Sequence, residues 1–208
     1  MEIAIGLYEN FTALDCVGPY DVLSRLPGAR VRWLAESAGR VRADAGLVVQ
    51  AEAAFSALPK PDVILIPGGM RFPTREGDAP ILDWIAAAHE HTTWTTSVCT
   101  GSMFLGAAGL LDGVPATSHW AVRDGLAQFG AIPTAERVVF DGKIATAAGV
   151  SAGIDLALLL AERIAGREIA EAIQLAIEYD PDPPFTSGNA ATASPELRER
   201  ALGSLSAT

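Results

Sequence analysis

Two residues in this chain have the chemistry for covalent catalysis: a thiol at Cys99 and a carboxyl group at Asp15. Cys99 lies within Thr95-Thr96-Ser97-Val98-Cys99-Thr100-Gly101-Ser102-Met103-Phe104-Leu105. The β-branched and small residues from Thr92 to Val98 predict a strand. The Ala-, Leu- and Gly-rich run from Ser102 to Leu111 predicts a buried helix. Cys99 then occupies the turn between them, where free backbone N–H groups and the positive end of a helix dipole converge. That setting favours the thiolate, which is the nucleophile. The plain alternative is a buried cysteine acting as a small hydrophobe.

Asp15 follows a predicted first strand, Ile3 to Tyr8. Helical spacing then appears at Val22, Leu23 and Leu26, with Pro19 suited to the first turn and Pro27-Gly28 closing the helix. Asp15 is therefore expected just ahead of that helix, as a cap or, at a strand's carboxyl end, as a functional acid. It meets Cys99 if their two strands are neighbours. Cys16 reads as core. The apolar run Asp62-Val63-Ile64-Leu65-Ile66 predicts a strand covered on both faces, and it ends in Pro67-Gly68-Gly69. Paired glycines let a backbone approach a ligand closely, so the N–H groups at Gly68 and Gly69 are candidates for an oxyanion site. Pro115 to Trp120 predicts a strand running into a loop, which places His119 at a strand end with Trp120 beside it. His119 fits a base, a structural histidine or an interface residue, and Trp120 fits a pocket wall or core packing.

The elements that must hold these groups alternate along the chain. Arg30 to Glu36 predicts a strand and Val41 to Ala51 a polar hairpin around Gly46. Pro80 to His91 predicts an amphipathic helix, with Ile81, Trp84, Ile85 and Ala88 on one side. Another helix is expected before Phe129. Arg137 to Ala147 reads as a hairpin with an Asp141-Gly142 turn. Ser151 is a candidate N-cap for a helix through Ile164, and Gly166 separates that helix from a last one, Glu168 to Glu178. This predicts an α/β domain over residues 1–180. An extended Pro/Ala/Ser-rich tail follows over 181–208, with a short helix from Pro195 to Ala201.

Half of the 208 residues are hydrophobic, enough for one sizeable core. The net charge of -10 argues against a nucleic-acid partner. No basic amphipathic or long apolar segment suggests a membrane. The absence of a signal-like N-terminus and the presence of only two cysteines lead to a reducing, cytoplasmic setting as the expectation. Three scattered histidines offer no metal-ligand spacing.

The strand–turn–helix around Cys99 resembles the nucleophile elbow of α/β-hydrolases, with sulfur in place of oxygen. Across nearly the whole chain, the sequence resembles the DJ-1/PfpI superfamily. The residues carrying the likeness are Leu14 to Leu23, Ile66-Pro67-Gly68-Gly69, Ser97 to Ser102, Gly109-Leu110-Leu111, Ala116 to Trp120, Gly130 to Pro133, Glu136 to Val139 and Leu175 to Tyr179. Within the superfamily the match is closest to the isocyanide (isonitrile) hydratases. Many relatives have histidine directly after the cysteine, where this chain has Thr100, and glutamate in place of Asp15. Both departures point away from the protease branch and toward the hydratases.

The resemblance implies a flavodoxin-like sandwich: a mostly parallel sheet with helices on both faces. It also implies a nucleophile at Cys99, an acidic partner at Asp15, a hydroxyl at Thr100, no cofactor and a homodimer. The implied reaction is hydration of a small isocyanide through a cysteine thioimidate, with Asp15 held protonated beside a thiolate and Gly69 and Thr100 N–H groups steadying charge. Two rivals share the scaffold. A DJ-1-like glyoxalase or stress protein would use the same thiolate. A small-molecule-binding domain related to AraC-type regulators is the other, and the acidic charge and proline-rich tail make DNA-binding regulation the weaker expectation.

Overall fold

The computed structural model describes residues 1–205. Its first half runs β1 (Glu2–Gly6), α1 (Ala13–Leu23), β2 (Arg30–Ala35), β3 (Gly39–Arg42), β4 (Val48–Ala51), β5 (Ala53–Ala54), β6 (Val63–Ile66), α2 (Ala79–His89) and β7 (Trp94–Val98). It continues with α3 (Gly101–Ala107), β8 (Pro115–Ala116), β9 (Ile132–Pro133), β10 (Val138–Asp141), β11 (Ile144–Ala147), α4 (Ala152–Ala165), α5 (Arg167–Ala176) and α6 (Pro195–Leu205).

Seven strands form one sheet in the order β10-β11-β7-β6-β1-β2-β5. Every pairing in it is parallel except the β10–β11 hairpin. The middle strands β6 and β11 are buried at every position, because helices cover the sheet on both faces. α1 packs against α4 and α4 against α5, while α2 packs against α3. The result is the expected flavodoxin-like α/β sandwich. From β1 the chain builds β2 on one side, then crosses to lay β6 on the other. Strand order therefore reverses between β1 and β6, and the crevice beyond the carboxyl ends at such a point is where open α/β sheets bind ligands.

Three local expectations change. α1 starts at Ala13, so Asp15 lies inside its first turn and Pro19 inside the helix. Tertiary packing overrides the usual cost of an internal proline there: the Pro19 ring fills the space that a side chain at Gly153 would need. Ser151 makes no side-chain cap to α4; its hydroxyl accepts from Arg137 instead. The segment Arg123–Phe129 forms tight 3-10 turns rather than an α-helix. In the tail, α6 extends four residues beyond the expected Ala201, to Leu205; Ser206 to Thr208 lie outside the described residues.

Candidate active site

Cys99 directly follows β7 in the left-handed backbone region, with φ of 58°. A residue other than glycine is strained there, so the surroundings must hold it. Its N–H is shared between the Ala147 and Ala148 carbonyls, at 3.0 and 2.9 Å. Its own carbonyl accepts the Ser118 hydroxyl at 2.9 Å and the Ser102 hydroxyl at 3.2 Å. Gly101 completes the elbow, because a Cβ at that position would run into the Ile66 carbonyl oxygen. The bend leaves the thiol against the backbone N–H groups of Thr100 and Val150 and the carboxyl group of Asp15.

Asp15 is fully buried. Its Oδ2 accepts the Gly68 N–H at 2.8 Å, and Oδ1 has no donor of ordinary geometry among the described residues. The carboxyl group and the Cys99 thiol lie close enough for each to shift the other's proton affinity. β1 and β7 are not adjacent, as a meeting of these two groups had suggested; β6 runs between them. The loop after β6 therefore joins the acid to the elbow. Gly68 fits only without a side chain, since a Cβ would sit 2.5 Å from the Thr100 nitrogen and 2.8 Å from the Cys99 Cβ.

Burial raises the Asp15 pKa to about 7, with the Gly68 N–H and the Cys99 thiol opposing and Asp44 adding to the rise. Burial also pushes the Cys99 thiol up, and the Asp15 charge pushes it further, against the Thr100 and Val150 N–H groups. This corrects the expectation that the helix terminus favours a thiolate: at 5 % exposure, the loss of hydration outweighs the N–H donors. With the thiol pushed up and Asp15 at about 7, the pair passes from two protons to one as pH rises through about 7.

The glycine N–H groups are also placed differently from expectation. Gly68 gives its N–H to Asp15, and Gly69 gives its own to Thr100 Oγ1 at 2.8 Å. The Thr100 hydroxyl in turn donates to the Gly69 carbonyl, again at 2.8 Å. Neither glycine N–H is free to receive a developing anion, and Thr100 staples the elbow to the loop rather than bonding Asp15. Cys16 is core, as expected, with no exposed surface.

His119 and Trp120 lie half-buried on a cleft of about 520 Å³ that also takes in Leu14, Ser118, Arg123 and Val150. Residues 188–191 of the tail form part of its wall. Burial lowers the His119 pKa, so the ring is neutral at pH 7. Its hydrogen bond among the described residues is from the Ala121 N–H, 3.4 Å away, and it reaches neither Cys99 nor Asp15. Neither this cleft nor a second one of about 460 Å³, beside Phe55, Arg71 and Ile81, is lined by Cys99 or Asp15.

Comparison with known proteins places the chain in a family. Residues 1–163 match the DJ-1/PfpI family. The chain belongs to that family. As a DJ-1/PfpI protein it is 43 % identical to an isonitrile hydratase of Pseudomonas putida, over 99 % of this chain and 92 % of the relative. A crystal structure of a ThiJ/PfpI family protein from Pseudomonas syringae superposes with a TM-score of 0.92 at 40 % identity, covering 99 % of this chain and 86 % of that one. The HTH-type transcriptional regulator CdhR of Pseudomonas aeruginosa is 31 % identical over 76 % of this chain, which spans 48 % of the regulator.

The described residues hold no cluster of His, Cys, Asp or Glu arranged for a metal, and no helix long and apolar enough to cross a membrane. Sequence reasoning missed Tyr8, Ser118 and the Val150 N–H. Ser118 stood beside the singled-out His119, and Tyr8 ends the predicted first strand. A backbone donor such as Val150 has no side-chain signature at all.

Proposed function

We propose that this chain is a cofactor-independent isonitrile hydratase, with Cys99 as nucleophile and Asp15 as the group that moves the proton. The observation supporting this most directly is the buried, electrostatically coupled Asp15–Cys99 pair at a strained elbow, in a chain similar over 99 % of its length to a hydratase. An isocyanide carbon carries a lone pair and accepts first a proton and then a nucleophile. The pair's one proton passes through Asp15 to that carbon while the Cys99 sulfur bonds to the same atom, giving a thioimidate and an Asp15 carboxylate.

Asp15 then takes a proton from water as the hydroxide adds to the thioimidate carbon, and hands that proton on to the nitrogen. Collapse breaks the carbon–sulfur bond, releases the N-substituted formamide and returns one proton to the pair. The Thr100 and Val150 N–H groups receive the departing sulfur, and Gly68 and Gly69 serve by holding Asp15 and Thr100. Trp120 and His119 line the space for the isocyanide substituent. The protein works on small molecules in the cytoplasm, without nucleic acid or membrane, a reading supported by its acidity and two unpaired thiols. It works as a homodimer, consistent with the exposed Ile132, Leu175 and Phe185; light scattering should give twice the 21.7 kDa chain mass, and a monomer would remove this assignment.

The decisive experiment measures intact mass and formamide formation together. The parent protein should gain the mass of a slow isocyanide on Cys99 and release formamide, while Cys99→Ala does neither. Formamide production by Cys99→Ala at the parent rate, or turnover of methylglyoxal in place of isocyanide, would overturn the proposal.

A further inference from the structure

The peptide unit between Pro67 and Gly68 is held at both ends, and only one end touches the reacting pair. Its N–H donates to Asp15 Oδ2 at 2.8 Å. Its carbonyl oxygen accepts the Tyr8 phenol at 3.0 Å, also in a buried position. Tyr8 is itself fixed on two sides. Its ring stacks on Phe104 with centroids 4.4 Å apart, and the Arg71 guanidinium lies 4.9 Å from its ring centroid. Arg71 is anchored in turn by two bonds to buried Asp78, at 2.8 and 2.6 Å.

We propose that Tyr8 is a positioning residue for the acid: its phenol fixes and polarises the Pro67–Gly68 peptide, and the Gly68 N–H thereby sets how readily Asp15 gives up its proton. Hydrogen bonds in series strengthen one another in a buried setting. A donor to a carboxylate favours its charged form. The phenol stays un-ionised and able to donate, because burial, then the Asp15 and Cys99 charges, push it up against the lowering effect of Arg71. Cys16 adds to that rise, and Asp44 is the further charge acting on Asp15. The inference rests on Asp15 and Cys99 being the reacting pair. It does not depend on which substrate they act upon.

The test is the pH dependence of Cys99 alkylation by iodoacetamide, read by peptide mass, beside the pH dependence of formamide formation. Tyr8→Phe keeps the ring stack and removes only the hydroxyl. It should move the acid-limb midpoint upward by about half a unit or more, in line with losing one member of a bonded series. The loss should be several-fold near pH 6 and nearly absent near pH 9. Site-specific 3-fluorotyrosine at position 8, a stronger donor of almost the same shape, should move the midpoint the other way. It also decides the matter if Tyr8→Phe does not fold. An unmoved midpoint in folded protein, or an equal loss at every pH, would reduce Tyr8 to a prop for the loop and overturn the proposal. A shifted alkylation profile without any formamide would leave this inference standing and remove the hydratase assignment.

Discussion

The buried corner around Cys99 and the open cleft beside His119 are built in opposite ways. Asp15, Gly68, Gly69, Cys99 and Thr100 are themselves each no more than 9 % exposed. The N–H groups of Gly68, Gly69 and Cys99 and the Thr100 hydroxyl are all committed to named partners. Across the cleft, His119 and Trp120 are half-buried, and the hydrogen bonds of Asn189 run within its own turn, to Ala191, Thr192 and Ala193. A reaction coordinate tolerates displacements of well under an ångström, so its parts are interlocked. Apolar recognition is non-directional and tolerates adjustment, so the cleft wall can be lightly held. Substitutions in the two regions should therefore fail differently.

The largest separation should come from Asp15→Asn. Removing the proton carrier should cost about a thousandfold in kcat/KM, within the usual range for a general acid–base. Stability should move in the opposite direction. The Asp15 pKa is about 7 in the folded protein against an ordinary 3.8. The folded state thus retains a proton that the unfolded chain releases between those values. The group's contribution to stability is fully present below about 3.8 and is lost as pH rises through about 7. Asparagine undergoes no such loss. Urea unfolding should therefore show the variant gaining on the parent between pH 4.5 and 8, by on the order of a few kcal/mol. A variant that loses ground to the parent over that interval would mean that Asp15 is an ordinary stabilising carboxylate, and the contrast between corner and cleft would lose its electrostatic basis.

The two regions were not equally legible in the sequence. The apolar run Val63 to Ile66 and the β-branched run before Cys99 announced buried parallel strands, because pattern and burial have one cause. The Pro67-Gly68-Gly69 loop was visible as a site for close backbone approach. Its use was not, since nothing local says whether an N–H faces a substrate or a neighbouring carboxyl group. The same limit misplaced Asp15 by a turn: Pro19 is a fair first-turn residue until Gly18 and Gly153 let α1 and α4 pack around it. The helix-terminus argument for a thiolate considered the donors and omitted the desolvation, which depends on the whole fold. In the cleft, the placing of residues 188–191 beside His119 joins segments about seventy positions apart, and no short-range pattern encodes that.

The smallest expected effect, and the sharpest test of the division, is Trp120→Ala. Trp120 contacts the His119 ring, with centroids 5.5 Å apart, and contributes apolar surface to the cleft without a bond to Cys99 or Asp15 among the described residues. Its removal should weaken binding of an aromatic isocyanide by about five- to tenfold, the equivalent of roughly 1 kcal/mol of lost apolar contact. That loss should fall on KM alone. An interaction equally present with bound substrate and in the transition state lowers KM without changing kcat. The acid-limb midpoint should also stay where it is, since the groups acting on the Asp15 proton are Gly68, Cys99 and Asp44. A fall in kcat with a displaced midpoint would show that the cleft wall steers the reacting pair, and that the interlocked corner extends as far as Trp120.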